Sequence, residues 1–204
     1  HYMRWNSIYG DDLTKEYKVN EFDKINLVGS GKVFFTQQPG APAVSVVTSD
    51  NVAELLDVYV ENGMLQLKIK KGYSLNNIKK LDYTINAAAL KEMNISGSGT
   101  IKLMNGLETD KLRMTVTGSG DVMADNINCT GDVTVSISGS GDIENSGLQC
   151  GNLKVSITGS GDIELKDINA GDVDAHISGS GDILLKGKAL KADYSVTGSG
   201  DIAA

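Results

Sequence analysis

Gly-Ser-Gly occurs seven times in this chain, and six of the seven copies keep a beat. They begin at Gly97, Gly118, Gly139, Gly159, Gly179 and Gly198, giving spacings of 21, 21, 20, 20 and 19 residues. Four of the six are followed by Asp-Ile, as at Asp142-Ile143, and a fifth by Asp121-Val122. A fixed period near twenty marks a solenoid, in which each repeat buries its apolar side only against its neighbours. The period constrains the architecture far more than the activity.

Each repeat reads as one coil. In the third, Val133, Val135 and Ile137 alternate with Thr134, Ser136 and Ser138 before Gly139-Ser140-Gly141. Two-fold alternation of β-branched residues belongs to a strand with one buried face. The same phase runs through Leu112, Met114 and Val116, through Leu153, Val155 and Ile157, and through Val173, Ala175 and Ile177. In the last coil it is Ala192, Tyr194 and Val196. An apolar residue returns four positions after each first glycine: Ile101, Val122, Ile143, Ile163, Ile183 and Ile202. The flanking glycines of the triplets fit tight corners between strands. They are Gly97 and Gly99, Gly118 and Gly120, Gly139 and Gly141, Gly159 and Gly161, Gly179 and Gly181, and Gly198 and Gly200. A second column, Gly131, Gly151 and Gly171, predicts another corner on the far side.

Helices are excluded by the two-fold alternation and by 24 glycines. A propeller blade needs about 40–50 residues, twice the repeat. Calcium-binding nonapeptide rolls share Gly-x-Gly-x-Asp but not the period. What remains is an all-β fold: a parallel β-helix with coils about 4.8 Å apart, right-handed by the crossover rule.

The first 96 residues are less regular. Phe22–Val28 and Val33–Gln37 read as strands hinged on Gly29-Ser30-Gly31, followed by a Pro39–Pro42 loop and a strand at Ala43–Thr48. Ser49-Asp50 offers an N-cap for a helical turn through Val52–Leu56. Asp57–Glu61 and Met64–Lys70 flank Asn62-Gly63, a strong hairpin signal. Leu81–Ala87 and Met93–Ser96 lead into the repeats. The expected organisation is an arm or first strand over 1–21, a β-rich cap or degenerate coils over 22–95, and regular repeats over 96–204.

These motifs resemble a known family. The repeated Gly-Ser-Gly-Asp-Ile/Val, preceded by Phe22-Asp23-x-Ile25-x-Leu27-Val28-Gly29-Ser30-Gly31, is similar to the autotransporter-adhesin head (GIN) domain family of Gram-negative bacteria, from about Phe22 to the end. The resemblance implies a β-helical superhelix with Gly-Ser-Gly turns, a role in cell adhesion, no catalytic residues and no cofactor. It also implies an extracytoplasmic location, in the periplasm, on the outer-membrane surface or secreted. The opening His1-Tyr2-Met3-Arg4-Trp5 carries no leader, as a trimmed chain would.

Charge narrows the partners. A net charge of −7 and an isoelectric point near 4.8, without a basic stripe, argue against nucleic acid. No run of about 18 apolar residues exists to span a membrane. Self-association and a glycan or host or cell-surface protein partner remain. The chain stops at Ala203-Ala204, just past the last triplet and with no polar capping helix, which predicts either a continuation or self-association through that end.

Several columns invite chemistry. Asp121, Asp142, Asp162, Asp182 and Asp201 form a candidate metal ladder, although one carboxylate per coil makes a poor cage for Ca²⁺ and local turn capping explains it equally. Ser98, Ser119, Ser140, Ser160, Ser180 and Ser199 form a hydroxyl column, but a serine nucleophile needs a base, and only His1 and His176 exist. Tyr59, Tyr73 and Tyr83 could form a sugar-stacking or protein-contact surface, or fill the core of the cap. Lys68, Lys70, Lys71, Lys79 and Lys80 make a basic patch, ordinarily a solvated edge guard. Cys129 and Cys150 each lie 11 residues after the first glycine of their triplet, in a column continued by Ala170 and Leu190. They should meet on adjacent coils, pointing inward, either bonded or as free thiols. The function classes left are a non-enzymatic adhesion or assembly protein, a carbohydrate-active lyase or hydrolase, and an envelope scaffold binding a protein. Convergent carboxylates or basic residues in a concave pocket would favour the enzyme.

Overall fold

The computed structural model describes residues 11–204, so His1 and Trp5 lie outside it. The described chain winds into a β-solenoid of about five stacked parallel turns. Each regular coil has three sides, and parallel ladders run coil to coil along each.

On the first side lie β2 (Lys24–Val28), β8 (Glu92–Ser96), β11 (Leu112–Gly118), β14 (Val133–Gly139) and β16 (Leu153–Gly159). The second half of β17 (Asp162–Gly179) and of β18 (Asp182–Thr197) continues it. The second side holds β3 (Lys32–Gln37), β9 (Thr100–Met104), β12 (Asp121–Ala124), β15 (Asp142–Gln149), the first halves of β17 and β18, and β19 (Asp201–Ala203). The third is short: β10 (Leu107–Thr109), β13 (Ile127–Cys129), the end of β15 and the middles of β17 and β18. Gln37 closes its lower edge, donating from Nε2 to the Glu108 carbonyl at 2.9 Å and accepting the Glu108 N–H at 2.9 Å.

Gly-Ser-Gly turns the chain from the first side to the second, and the two glycines have different reasons. Gly139 has φ +124°, and a Cβ there would stand 2.6 Å from the Gly118 carbonyl oxygen of the coil beneath. Gly141 has no left-handed φ, yet its Cβ would run into the Gly120 carbonyl oxygen and stand 2.7 Å from Val116. The close approach has a purpose: the Gly118 carbonyl accepts both the Ser140 and the Gly141 N–H, at 3.1 and 3.0 Å. Each corner is thus hydrogen-bonded to the one below.

The corner from second to third side was not visible as a repeat. It uses Asn105 (φ 61°), Asn126 (φ 55°), Gly147 (φ 99°), Asp167 (φ 52°) and Gly187 (φ 145°). Asn, Asp and Gly all tolerate left-handed backbone, so one geometry is written in three letters. Gly131, Gly151 and Gly171 do mark the remaining corner.

Coil lengths differ only at the second and third corners. Leu165 pairs with Leu185 but Ile168 pairs with Gly187, so the last coil is one residue short there. This corrects the cysteine column: Ala170 is opposite Ala189, and Leu190 is pushed into solvent at 90% exposure.

The 22–95 segment continues the same ladders. β6 (Met64–Ile69) and β7 (Leu81–Ala87) run parallel to β2 and β3 on the side away from the repeats, forming a further coil. The β2–β3 coil is therefore sandwiched between segments that follow it in sequence. Antiparallel strands finish the end: β5 (Leu56–Glu61) on β6, β4 (Ala43–Ser49) on β7, and β1 (Asp12–Tyr17) on β4. Asn62 (φ 54°) and Gly63 (φ 73°) make the β5–β6 turn expected of them. The helical turn α1 comes earlier than expected, at Asp50–Ala53, because Leu56 is needed as the buried first residue of β5. Ser49 stands at its N-cap position, but its hydroxyl bonds Asn51 Oδ1 at 2.7 Å rather than a backbone N–H.

The core is one continuous column of Val, Ile and Leu. Among the described residues two polar side chains outside the hydrophobic set are buried: Thr48, which donates to the Lys80 carbonyl at 2.6 Å, and Asn145, 3% exposed, in register with Leu165. Asn145 Nδ2 donates to the Ala124 carbonyl at 2.5 Å and the Gly147 carbonyl at 3.0 Å, while Oδ1 is buried without a partner.

Candidate functional site

Because the sides are flat ladders, functional chemistry here means columns of outward side chains. The first side presents a column Gln66, Asn26, Asn94, Thr115, Ser136, Ser156, His176 and Ser195. Beside it run Ser96, Thr117, Ser138, Thr158, Ser178 and Thr197. Ser156 donates to Ser136 at 3.3 Å, and Asn26 to Gln66 at 2.8 Å. His176 apart, both columns consist of hydroxyls and amides. The third column on this side is mostly charged, from Lys24 through Glu92, Arg113, Thr134 and Lys154 to Asp174 and Asp193.

The second side carries the aspartates. Asp121, Asp142, Asp162, Asp182 and Asp201 stand in unbroken register, with Glu144 and Glu164 alongside. Partial burial, then the neighbouring carboxylates, raise the pKa of Asp142 and Asp162 above the ordinary aspartate value. Backbone N–H groups of the following coil partly oppose the shift. The contact is therefore forward to the next coil's backbone rather than within the aspartate's own turn. Among the described residues no group of three or more His, Cys, Asp or Glu is placed to hold a metal ion.

His176 Nδ1 lies 2.6 Å from Ser195 Oγ, one coil apart. Both are exposed on the open first side, and no carboxylate among the described residues is hydrogen-bonded to the ring. The triplet serines of the regular repeats are likewise exposed and stand on a different edge from His176.

Cys129 and Cys150 follow Asn128 and Gln149, which are in register on adjacent coils, and both thiols are free. Cys129 is buried and Cys150 half-buried. Burial, and then the Cys129 thiol beside it, push Cys150 up to about 11.

The three tyrosines do not form one surface. Tyr83 is core at 1% exposure, Tyr59 holds the Lys68 ammonium 5.1 Å from its ring centroid, and Tyr73 is 58% exposed. Concavities among the described residues include open troughs of about 260–380 Å³ between adjacent ladders or beside corners. No helix is long and apolar enough to cross a membrane among the described residues.

Known proteins share this architecture. A crystal structure of a putative adhesin from Bacteroides fragilis superposes with a TM-score of 0.80 at 28% identity, over 95% of this chain and 96% of that one. A putative lipid binding protein from Parabacteroides distasonis gives 0.73 at 26% identity, over 95% and 96%. A putative adhesin from Parabacteroides merdae, at 19% identity and TM-score 0.61 over 96% and 97%, shares the fold. No curated protein matches. The family model described as putative auto-transporter adhesin, head GIN domain, matches residues 21–204, and the chain belongs to that family.

Proposed function

We propose that this chain is a non-enzymatic surface protein that adheres through the hydroxyl and amide columns of its first side. One observation carries the reading: two adjacent columns, from Asn94 and Ser96 to Ser195 and Thr197, repeat small hydrogen-bonding groups at the coil spacing of about 4.8 Å. A flat, regular array of this kind fits an extended, uncharged, repeating partner such as a glycan chain better than a compact substrate. An enzyme would need a nucleophile or acid–base pair converging in a walled cleft, and the His176–Ser195 contact lies on an open face.

Glycan and host-protein arrays test the reading. Wild type should bind a repeating polysaccharide, and Ser136→Arg with Ser156→Arg should abolish binding without lowering the melting temperature. Binding indifferent to both substitutions, or cleavage of a glycan by the purified chain, would refute it.

The reading includes assembly. On β18 the core-phase residues Tyr194 and Val196 are 45% and 41% exposed, and an open strand edge recruits another strand. Either a continuation of the chain or a second copy would cover this edge, and if a second copy does, Val196→Lys should leave a monomer by light scattering.

A further inference from the structure

The turn between β6 and β7 occupies the same corner of the solenoid as Gly-Ser-Gly but is built on other lines. β6 and β7 pair with β2 and β3, whose own connection is Gly29-Ser30-Gly31. At the β6–β7 level the three-residue corner is replaced by residues 70–80. From Lys68 to Lys80 the chain carries Lys68, Lys70, Lys71, Lys79 and Lys80 and no Asp or Glu. That segment is +5, leaving −12 on the rest of a chain whose net charge is −7.

The projecting loop is amphipathic. Lys70, Lys71 and Tyr73 are exposed, Tyr73 by 58%, whereas Leu75 and Ile78 pack against the core and anchor it. Lys32, Lys79, Lys80 and Asp82, with Ser30 and Ser98, line an open cavity of about 380 Å³ beneath it, and Lys80 is paired with Asp82 at 3.9 Å. Lys68, held over Tyr59, has a raised pKa, first through the Tyr59 hydroxyl, so it stays cationic. In the aspartate column the β6–β7 level carries Asp82, Lys32 and Thr100 follow, and the unbroken run of aspartates starts at Asp121, three coils along the axis. The loop is thus a local +5 patch, bordered by Asp57, Glu61 and Asp82, on a molecule whose far coils are acidic.

We infer that the Lys68–Lys80 loop docks this end of the solenoid on a lipid surface with anionic headgroups. Lysines near such a surface gain from its negative potential, and a tyrosine at the tip suits the headgroup level. The same field repels the Asp and Glu columns, which holds the far coils away from the bilayer. A second copy's acidic face is the other polyanion of the right charge, but it offers no layer for Tyr73 to enter. This inference stands apart from the proposed adhesive columns of hydroxyls and amides, which lie on the first side.

Vesicle co-sedimentation of the full chain tests it, with phosphatidylcholine vesicles that contain or lack about one-third phosphatidylglycerol. Binding should appear only on the anionic vesicles and weaken as salt is raised. Lys70→Glu with Lys71→Glu should lower it at least tenfold, and Tyr73→Ser by a smaller factor, with circular dichroism and melting unchanged. Lys154→Glu, on the first side, should leave binding as it was. Equal binding to both vesicles, no binding to either, or an equal loss in Lys154→Glu would overturn the assignment. So would salt-sensitive self-association without vesicles that Lys70→Glu/Lys71→Glu abolishes, since the occupant would then be a second copy.

Discussion

The backbone N–H of Asp201 donates to Asp182 Oδ1 at 3.2 Å, one coil back along the same column. Equal charges are thus stacked, and Asp142, Asp162 and Asp182 are each tied to the backbone of the following coil, so the ladder sets attraction to a fixed dipole against repulsion between carboxylates. For Asp142 and Asp162 the balance, with burial the largest cause, falls on the side of a raised pKa.

The sign of the resulting pH dependence is definite. With a folded pKa above the unfolded value of about 3.9, the folded state binds more protons between the two, so these residues cost stability as pH rises through that window. Asp162→Asn should therefore stabilise the protein at neutral pH. The gain should stay under about 1 kcal/mol, because solvent screens exposed carboxylates, and should vanish toward pH 3. Chemical denaturation of wild type and variant across that range measures it.

The triplet glycines should differ sharply from isolated loop glycines. Gly141→Ala drives a methyl group into the Gly120 carbonyl and Val116, within a stack that cannot part without breaking ladder bonds. A loss of about 3 kcal/mol or more is expected. Gly72→Ala meets nothing within 4 Å and has only its φ of +89° to contend with, so about 1 kcal/mol is expected. Urea midpoints at equal m-values separate the two.

Much of this was readable because a solenoid repeats its instructions. Val133, Val135 and Ile137 state one strand, and four further coils state it again in the same phase. The left-handed corner escaped because Asn126, Gly147 and Asp167 meet one backbone requirement with different side chains. Leu190 was misplaced because counting from the triplet assumes coils of equal length, and the deletion lies between Leu185 and Gly187. The sandwiching of β2–β3 between β6–β7 and β8–β9 was not legible, since ladder partners there are 40 and 68 residues apart along the chain. The hydroxyl and amide columns are the outward phase of the strand pattern that revealed the core, whereas the basic loop showed only as a run of lysines until its place at a corner was known.

The cysteines should report as two slow thiols. Burial raises both pKa values, Cys150 to about 11 with its neighbour's help, so little thiolate exists at pH 8. Alkylation of the native chain should be much slower than that of a free peptide thiol. Denatured, unreduced protein should titrate two thiols per chain, and a count of zero would mean a disulfide bond instead.

Asn145 gives the strongest test of the core. Its Nδ2 supplies donors to the Ala124 and Gly147 carbonyls, which the ladder between β12 and β15 leaves behind where its pairing stops at Met123 and Glu144. Asn145→Asp keeps the shape but replaces the donor with oxygen, setting a buried carboxylate against two carbonyl oxygens. Desolvation would raise its pKa, so the folded state would favour the protonated acid. The variant should be destabilised by about 3 kcal/mol or more at pH 7, with the deficit shrinking as pH falls and the acid regains a proton to donate. Urea denaturation at pH 7 and pH 5 decides it: a deficit that does not shrink at the lower pH would mean that lost packing, not the missing donor, is responsible.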